Sequence, residues 1–262
     1  IVKLTPNISD ITYPAEAALK GGGDAVSLIN TVASITSVNL DSFSPEPSVG
    51  GKGTHGGYCG PAVKPIALNM VAQIARNNMT HSLPISGIGG VTTWRDAAEF
   101  LTLGAGNVQV CTAAMTYGFK IVSEMISGLS EWMDEKEIKT IDDIVGRALP
   151  NFTEWQHLDL NYVTKAQIDQ DLCIKCGRCY AACEDTSHQA ITNTIKGIRG
   201  FEVIDSECVA CNLCVNVCPV DNCITMRELQ PGETDTRTGK IVEDVYGSWL
   251  THPNNPHRNA AE

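Results

Sequence analysis

The sequence predicts an α/β fold with a parallel sheet, followed by a small cysteine-rich domain. Short apolar segments alternate with amphipathic ones over about the first 133 residues, which is the pattern of strands and crossover helices. Of the 11 cysteines, only Cys59 and Cys111 lie in that part, and all the others lie between Cys173 and Cys223. We therefore expect four regions, at residues 1–133, 134–164, 165–227 and 228–262.

The composition is that of a folded protein, with 43% hydrophobic and 19% charged residues. No apolar run reaches the roughly 18 residues of a membrane-spanning helix, so no membrane partner is expected. A net charge of -11 argues against nucleic acid as a partner, because phosphate binding needs a basic surface. An odd number of cysteines excludes a fully paired disulfide framework, and so many thiols indicate metal binding in a reducing compartment, which predicts a cytoplasmic protein.

The first region is predicted to contain four strand–helix units. Its strands are short apolar segments, predicted at Ile1–Leu4, Ala25–Ile29, Leu83–Ser86 and Asn107–Val110. Its helices have apolar residues at helical spacing and are predicted at Tyr13–Lys20, Pro65–Arg76, Trp94–Leu103 and Thr116–Met133. A complete (β/α)8 barrel needs about 250 residues, so these units form either a small open α/β domain or half a barrel. Because the chain opens on Ile1 rather than Met, we favour the C-terminal half of a barrel that lacks its N-terminal part.

The other two regions have less periodic sequences. Residues 134–164 are polar, which predicts a connector with one short helix around Ile141–Leu149. Residues 228–262 are rich in Pro, Gly, Thr, Asp and Asn, which predicts an extended tail, either loosely ordered or partner-binding.

Eight cysteines form two runs with identical spacing. The runs are Cys173, Cys176, Cys179, Cys183 and Cys208, Cys211, Cys214, Cys218. This spacing is that of a bacterial-type two-[4Fe–4S] ferredoxin domain, in which the fourth cysteine of each run binds the other cluster. The first cluster would then be held by Cys173, Cys176, Cys179 and Cys218, and the second by Cys208, Cys211, Cys214 and Cys183. Zinc is the alternative, but zinc sites use pairs of CxxC with four ligands per ion, and two runs of four exceed that need. Cys223 lies outside the spacing and is expected to be a small buried or surface thiol.

The first region has features suited to a cofactor that carries a phosphate. The turn Gly87-Ile88-Gly89-Gly90 follows a predicted strand and precedes a helix, so its backbone N–H groups and the helix N-terminus can hold a phosphate. Cys111 and Thr112 end the next strand, and Gly60 precedes another helix; both can supply further walls. Each feature alone is more often a simple turn. Their repetition after consecutive strands indicates a site at the carboxyl ends of the strands.

Two polar positions near the strand ends complete this site. Lys3 lies in an otherwise apolar strand, which is a costly place for an ammonium group without an anionic partner. It either reaches solvent at a domain edge or stabilises negative charge on a reduced flavin ring. Asn30 and Thr31 follow the second strand, where they can hydrogen-bond a polar heterocycle or cap a turn.

Taken together, the motifs resemble those of dihydropyrimidine dehydrogenases. The resemblance is carried by these segments and by the two cysteine runs: Val2–Asn7, Ile29–Val32, Gly56–Ala62, Ser86–Gly90 and Val108–Ala113. It extends to about Arg227 and is strongest to the FMN- and iron–sulfur-containing subunit of the bacterial two-subunit, NAD-dependent enzymes. Dihydroorotate dehydrogenases share the barrel motifs without the eight-cysteine tail on the same chain.

The resemblance implies roles for nine residues. Those implied to contact FMN are Lys3, Gly60, Ile88, Gly89, Gly90, Cys111 and Thr112, and those implied to contact the pyrimidine are Asn30 and Thr31. The family's general acid is a loop cysteine that precedes the strand of Lys3, so no catalytic residue is expected in this chain, which alone should be inactive. Cys59 and Cys111 do not replace it, because both lie at positions of the cofactor cradle.

The activity implied is reduction of the 5,6-double bond of uracil or thymine. Electrons would pass from NADH to FAD on a partner subunit, then through the two clusters to FMN, in a hetero-oligomer. The alternatives are another flavin-barrel reductase of the dihydroorotate dehydrogenase type with a ferredoxin tail, or a module that only transfers electrons.

Overall fold

The structure is a computed structural model of the chain, and it describes residues 1–158, 162–186 and 188–242. The chain divides into two compact units, Ile1–Phe152 and Thr153–Glu262. Within the described residues, no helix combines the length and the apolar character needed to cross a membrane.

The first unit alternates strands and helices. Its strands are β1 (Val2–Lys3), β2 (Val26–Leu28), β3 (Val32–Ser34), β4 (Ser37–Asn39), β5 (Ser44–Glu46), β6 (Ser48–Val49), β7 (Lys52–Gly53), β8 (Gly56–Tyr58), β9 (Ile85–Ile88) and β10 (Asn107–Gln109). Its helices are α1 (Thr12–Lys20), α2 (Lys64–Arg76), α3 (Trp94–Thr102), α4 (Thr112–Tyr117) and α5 (Lys120–Glu135).

A four-stranded parallel sheet in the order β1-β2-β9-β10 organises this unit. The core between sheet and helices includes the fully buried Leu28, Val71, Ile74 and Phe100. The predicted α/β fold with a parallel sheet is therefore confirmed. Three predicted strands contain a strand of the sheet, whereas the prediction Leu83–Ser86 overlaps β9 only at Ile85 and Ser86. The described residues do not form a closed barrel, and half of a (β/α)8 barrel stays a prediction for this unit.

Residues 32–58 leave the sheet between β2 and α2, where the sequence predicted no elements. They form antiparallel pairs β3–β8, β4–β5 and β6–β7. The strands are only two or three residues long, so they lack a periodicity that sequence analysis can detect. The pairing of β3 with β8 returns the chain to the start of α2.

The predicted helix Thr116–Met133 is wrong in its boundaries. The structure has α4 and α5 in its place, because Gly118 interrupts the helix with φ 82° and ψ 167°. This conformation is easy for glycine and costly for other residues. The break leaves α4 at the carboxyl end of β10, next to the predicted site.

The segment after α5 packs on the first unit up to Phe152, beyond the predicted boundary at residue 133. Ile144 is fully buried, and the N–H groups of Gly146 and Ala148 donate to the carbonyls of Leu101 and Thr102. The short helix expected around Ile141–Leu149 is replaced by two 3₁₀ turns, Ile141–Asp143 and Leu149–Asn151. The buried isoleucine and these hydrogen bonds attach the segment to α3.

The second unit is built around the cysteine runs. After a 3₁₀ turn at Trp155–His157, its elements are β11 (Thr164–Ile168), α6 (Arg178–Asp185), β12 (Ile191–Ile195), β13 (Ile198–Val203), α7 (Leu213–Val217), β14 (Ile224–Glu228), β15 (Thr234–Asp235) and β16 (Lys240–Ile241). Antiparallel pairs form between β11 and β14, β12 and β13, and β15 and β16.

The two runs repeat the same backbone path as well as the same spacing. Lys175 and Ala210, each two residues after the first cysteine of a run, have φ 58° and 61°. Two residues further on, Gly177 and Asn212 also have positive φ and precede α6 and α7. The second unit is thus an internal structural repeat.

The predicted tail is partly folded. Leu229 is buried, and its N–H donates to the carbonyl of Val163, while Asp235 is buried in the hairpin of β15 and β16. Residues 228–242 therefore belong to the second unit rather than to an extended arm. The rest of the predicted tail, 243–262, lies outside the described residues.

Candidate functional site

A cavity of about 240 Å³ lies at the carboxyl ends of the parallel strands of the first unit. It brings together every residue implied to contact a flavin or a pyrimidine. Its lining includes these nine: Lys3, Asn30, Thr31, Gly60, Ile88, Gly89, Gly90, Cys111 and Thr112. Residues more than 100 positions apart meet there because parallel strands end at the same edge of the sheet.

The turn after β9 has a backbone that requires glycine. Gly89 and Gly90 have φ 143° and 73°, values that other residues rarely adopt. A Cβ on Gly90 would lie 2.7 Å from the carbonyl oxygen of Gly60, and one on Gly89 would lie 2.7 Å from the Cβ of Ala67. The glycines thus let the turn approach α2 closely while its backbone lines the cavity.

Helix α3 begins directly after this turn, and Asp96 fixes its start. Thr93 is the N-cap, and the Oδ2 of Asp96 accepts hydrogen bonds from the backbone N–H groups of Thr92 (2.9 Å) and Thr93 (2.8 Å). Thr93 and Asp96 thus form a capping box, in which each side chain accepts a backbone N–H of the other residue. It gives the glycine turn and the helix N-terminus one defined geometry.

Lys64 ties this helix start to α2. Its Nζ lies 2.6 Å from Oδ1 of Asp96 and 2.8 Å from Oε2 of Glu99. Burial alone would raise the pKa of Asp96, but hydrogen bonds from Lys64, Thr92 and Thr93 outweigh it and hold this pKa well below its usual range. Asp96 is therefore a carboxylate under all ordinary conditions.

A row of polar side chains crosses the sheet and is bonded to Gln109, which with Lys3 lines the cavity. Lys3, Ser27, Ser86 and Asn107 are register partners on adjacent strands. The Nε2 of Gln109 donates to the Oγ of Ser27 (2.8 Å) and of Ser86 (2.7 Å). Sequence analysis missed Gln109 as a site residue; the detectable signal was a polar residue inside an apolar strand that ends at the cavity.

Lys3 joins this row from the edge strand β1. Its Nζ lies 3.4 Å from the Oγ of Ser27, and the residue as a whole is exposed because β1 has a neighbour on one side only. Partial burial of the ammonium group lowers the pKa of Lys3, while nearby Cys111 acts in the opposite direction. The sequence left Lys3 between an edge position and a cofactor contact, and in the structure it has both an edge position and a place in the cavity wall.

Asn30 and Thr31 lie at the carboxyl end of β2. The Oδ1 of Asn30 accepts the N–H of Thr31 (2.9 Å), and the carbonyl of Thr31 accepts from Nδ2 of Asn7 (3.1 Å). Asn7 also accepts the N–H of Ala33 through Oδ1 (2.7 Å). Asn7 therefore holds the backbone on both sides of Val32 through two hydrogen bonds. Sequence analysis did not single out Asn7 for this role. Cys59 and Cys111 are exposed thiols in the same cavity wall.

The second unit contains two thiol-lined cavities, one for each predicted cluster. The first is lined by Cys173, Cys176, Cys179 and Cys218 together with Cys223. The second is lined by Cys183, Cys208, Cys211 and Cys214. The fourth cysteine of each run thus lies in one cavity wall with the first three of the other run, and the assignment of these thiols as cluster ligands stays a prediction.

The surroundings of the thiols are apolar. Burial raises the pKa of Cys179, and it raises that of Cys214 to about 11, with nearby Cys208 and Cys211 adding to the effect. The Sγ of Cys183 accepts the N–H of Ala190 (3.3 Å). Among the described residues, no three His, Cys, Asp or Glu side chains converge closely enough to hold a single metal ion; the thiols surround the two cavities instead.

Comparison with known proteins agrees with both units. The sequence profile described as dihydroorotate dehydrogenase matches residues 1–133, and one described as 4Fe-4S dicluster domain matches residues 166–226. Fold and profile matches therefore define a two-part chain, an α/β unit of the dihydroorotate dehydrogenase type and a 4Fe-4S dicluster domain. The chain belongs to the dihydroorotate dehydrogenase family, with a dicluster domain joined to the family's α/β unit.

Individual relatives include pyrimidine enzymes of two kinds. The chain is 44% identical over 230 residues to the NAD-dependent dihydropyrimidine dehydrogenase subunit PreA of Escherichia coli, covering 88% of this chain and 56% of that protein. It is 41% identical over 171 residues to the chloroplastic dihydropyrimidine dehydrogenase (NADP(+)) of Arabidopsis thaliana, covering 64% and 40%. It is 45% identical over 149 residues to the catalytic subunit of dihydroorotate dehydrogenase B (NAD(+)) of Pyrococcus horikoshii, covering 57% and 46%. The chain spans about half the length of these curated relatives.

Proposed function

We propose that the complete protein reduces the 5,6-double bond of uracil or thymine. NADH would supply the electrons through a partner subunit that carries FAD, and the two clusters would relay them to FMN. The observation that carries the proposal is the single cavity that gathers all nine implied contacts. The 44% identity to a dihydropyrimidine dehydrogenase subunit over 88% of this chain supports the choice of substrate.

The cavity wall fits a flavin phosphate and ring. The backbone N–H groups of Gly89 and Gly90, next to the N-terminus of α3, would hold the phosphate. Lys3 would lie beside the ring, where its positive charge stabilises the anionic reduced form. A flavin bound there supplies hydride-transfer chemistry, and the clusters supply single electrons.

The substrate role belongs to Asn30 and Thr31. An amide and a hydroxyl provide the donors and acceptors that a pyrimidine base requires, and Asn7 holds the backbone at Thr31. We assign no general acid to this chain, because Cys59 and Cys111 lie in the cavity wall beside the proposed cofactor contacts.

The ligands of the first cluster would be Cys173, Cys176, Cys179 and Cys218, and those of the second Cys208, Cys211, Cys214 and Cys183. Two sets of four thiols, each with one exposed member (Cys176 or Cys211), line two apolar cavities and fit two clusters. Because the fourth cysteine of each run would bind the cluster of the other run, the two halves of the repeat would be held together.

The proposal places NADH on the partner subunit. Gly51, Gly53 and Gly56 have the spacing of a dinucleotide-binding turn. However, Gly51 lies in the turn between β6 and β7, Gly53 lies in β7 and Gly56 lies in β8, and these strands form antiparallel pairs. A pyrophosphate-binding turn connects a strand to a helix, whose N-terminus holds the phosphates. The complete protein would then form a hetero-oligomer with a subunit that binds NADH and FAD.

A dihydroorotate dehydrogenase activity is the second candidate, since the family profile and the Pyrococcus horikoshii relative carry that name. The complete protein, loaded with its cofactors and reduced chemically, is mixed anaerobically with uracil, thymine or orotate. We expect uracil and thymine to reoxidise the flavin and orotate to leave it reduced. The reverse result would establish the second candidate. Absence of any flavin on denaturation would leave only an electron-transfer module.

The division of labour between subunits has its own test. NADH added to the complete protein without the partner should give no reduction of uracil, and addition of the partner should start it. Turnover without the partner would refute this part of the proposal.

A further inference from the structure

The cavity of the first cluster is surrounded by five thiols, one more than a [4Fe–4S] cluster needs. The fifth belongs to Cys223, which is 2% exposed. Its thiol interacts with those of Cys218 and Cys173, and its Sγ lies 3.7 Å from the carbonyl oxygen of Asp169. The sequence suggested a small buried or surface thiol; the structure places Cys223 in the same wall as four proposed ligands.

The internal repeat identifies the counterpart of Cys223 beside the second cluster. Asp169 and Ile204 each lie four residues before the first cysteine of a run. The N–H of Asp169 donates to the carbonyl of Cys223, and the N–H of Ile204 donates to the carbonyl of Ala190, both at 2.8 Å. Ala190 therefore occupies the position of Cys223 in the other half.

Ala190 and Cys223 also have equivalent surroundings. Each is almost fully buried, lines the same cavity as the fourth cysteine of the run that it follows, and is followed by a buried isoleucine, Ile191 or Ile224. All eleven cysteines are within the described residues, and the second cavity is lined by four of them. The two cluster sites are thus alike except that one has a spare thiol.

We propose that Cys223 is a reserve ligand of the first cluster, able to replace Cys218 on the iron that Cys218 binds. Cys218 and Cys223 approach the cavity from the same short segment after α7, so the exchange needs no rearrangement of the two halves. In the exchange the bond from iron to Cys218 Sγ breaks and one to Cys223 Sγ forms. The proton leaves Cys223 and protonates the released Cys218, and no electron is transferred. The inference rests on the ligand sets of the proposed function.

The test compares loss of the fourth ligand at the two sites. The complete protein is prepared with its clusters as wild type, Cys218→Ala, Cys218→Ala/Cys223→Ala and Cys183→Ala. Iron and acid-labile sulfide are measured, and EPR of the oxidised protein detects a three-iron cluster. Where Cys218→Ala fails to fold, Cys218→Ser is used with and without Cys223→Ala.

Cys218→Ala should keep about eight iron atoms, four for each cluster, without a three-iron signal. Removal of Cys223 as well should lower the content to about seven and produce that signal, and Cys183→Ala alone should do the same. Cys183→Ala/Ala190→Cys should restore about eight, because it gives the second site the spare thiol of the first. A three-iron signal in Cys218→Ala as strong as in Cys183→Ala would overturn the proposal, as would loss of the whole first cluster.

The Cys183→Ala variant distinguishes failure of the reserve role from failure of the ligand assignment on which that role rests. If Cys183→Ala keeps about eight iron atoms without a three-iron signal, the proposed ligand sets are wrong and the role of Cys223 falls with them. If Cys183→Ala and Cys218→Ala both lose one iron, the ligand sets stand and only the reserve role fails.

Discussion

Lys165 and Asp235 form a buried ion pair, with 2.9 Å between Nζ and Oδ1 and side-chain exposures of 3% and 6%. The ammonium group also donates to the carbonyls of Asp205 (2.9 Å) and Cys208 (3.0 Å), and Cys208 is a proposed ligand of the second cluster. The pair therefore connects β11, the start of the second cysteine run and the hairpin of β15 and β16. Hydrogen bonding by Lys165, joined by bonds from Thr238 and Arg237, lowers the pKa of Asp235 to about 2.

Asp235→Asn should destabilise the second unit strongly, by about 3 kcal/mol, because it leaves a buried ammonium without its counter-charge. The midpoint of thermal unfolding, followed by loss of cluster absorbance, should fall by on the order of 10 °C. Glu233→Gln is the matched control: the 3.1 Å pair of Glu233 with Arg227 is 42% exposed on each side, and exposed pairs contribute at most about 1 kcal/mol. Equal shifts in the two variants would show that burial of the Lys165 pair is unimportant.

The ion pair also illustrates what the sequence could not provide. Its partners are 70 positions apart, and Asp235 lies in a segment whose composition predicts a tail. The cysteine sets, by contrast, were predictable because their spacing is imposed by the geometry of a cluster rather than by the fold. The contact of Cys223 with the first cavity depends on the path of β14 and has no sequence signal.

The same contrast holds for the first unit. The sheet and helices were predicted because apolar periodicity reports them directly, and the cavity residues because they follow strands that end at one edge. The row from Lys3 through Ser27 to Gln109 depends on strand register, which one sequence does not specify. The six strands from β3 to β8 lie in short polar segments. Tertiary contacts rather than local sequence decide how these strands pair.

Asp96→Asn should weaken flavin binding by about tenfold. It removes the ion pair with Lys64 and leaves one acceptor oxygen where the carboxylate has two. The bonds from Thr92 and Thr93 and the bond from Lys64 can then no longer all be made, so the glycine turn loses its fixed position; a cap alone contributes about 1 kcal/mol. Glu99→Gln is the control, since Glu99 pairs with the same lysine but is 47% exposed and no cap. Fluorescence titration with FMN measures both; an equal loss in Glu99→Gln would assign the effect to the charge of Lys64 alone.

The contribution of Asp96 to the free energy of unfolding should decrease as the pH is lowered into the acid range. Because its pKa is lowered on folding from the ordinary 3.8, its contribution is complete above 3.8 and is lost as the pH falls below that value. The difference in unfolding free energy between wild type and Asp96→Asn should therefore be constant near neutrality and shrink in acid. Denaturant titrations followed by tryptophan fluorescence check this, and a difference that grows in acid would contradict it.

Gly90→Ala should abolish measurable flavin binding. A Cβ there would lie 2.7 Å from the carbonyl oxygen of Gly60 and 2.9 Å from the Cβ of Lys64, so the turn must move. Gly22→Ala is the control for backbone strain: Gly22 has φ 80° and open space around its Cβ position, so it should cost about 1 kcal/mol of stability and leave flavin binding intact. FMN content after desalting gives the comparison, and normal content in Gly90→Ala would remove the turn from the proposed cradle.

Lys3→Met should make the two-electron potential of the bound flavin more negative, by on the order of 30 mV. The reason is that an ammonium group in the cavity wall stabilises an anionic reduced ring more than a neutral oxidised one; for a two-electron couple this shift corresponds to about 1.4 kcal/mol. Lys3→Arg keeps the charge and should retain most of the wild-type potential, while Lys20→Met, on the exposed face of α1 with a side chain 68% exposed, should leave it unchanged. Spectroelectrochemical titration of the complete protein measures all three. A potential that shifts equally in Lys3→Arg and Lys3→Met would mean that the shape of the side chain, and not its charge, acts on the flavin, and that Lys3 contributes through its contact with Ser27.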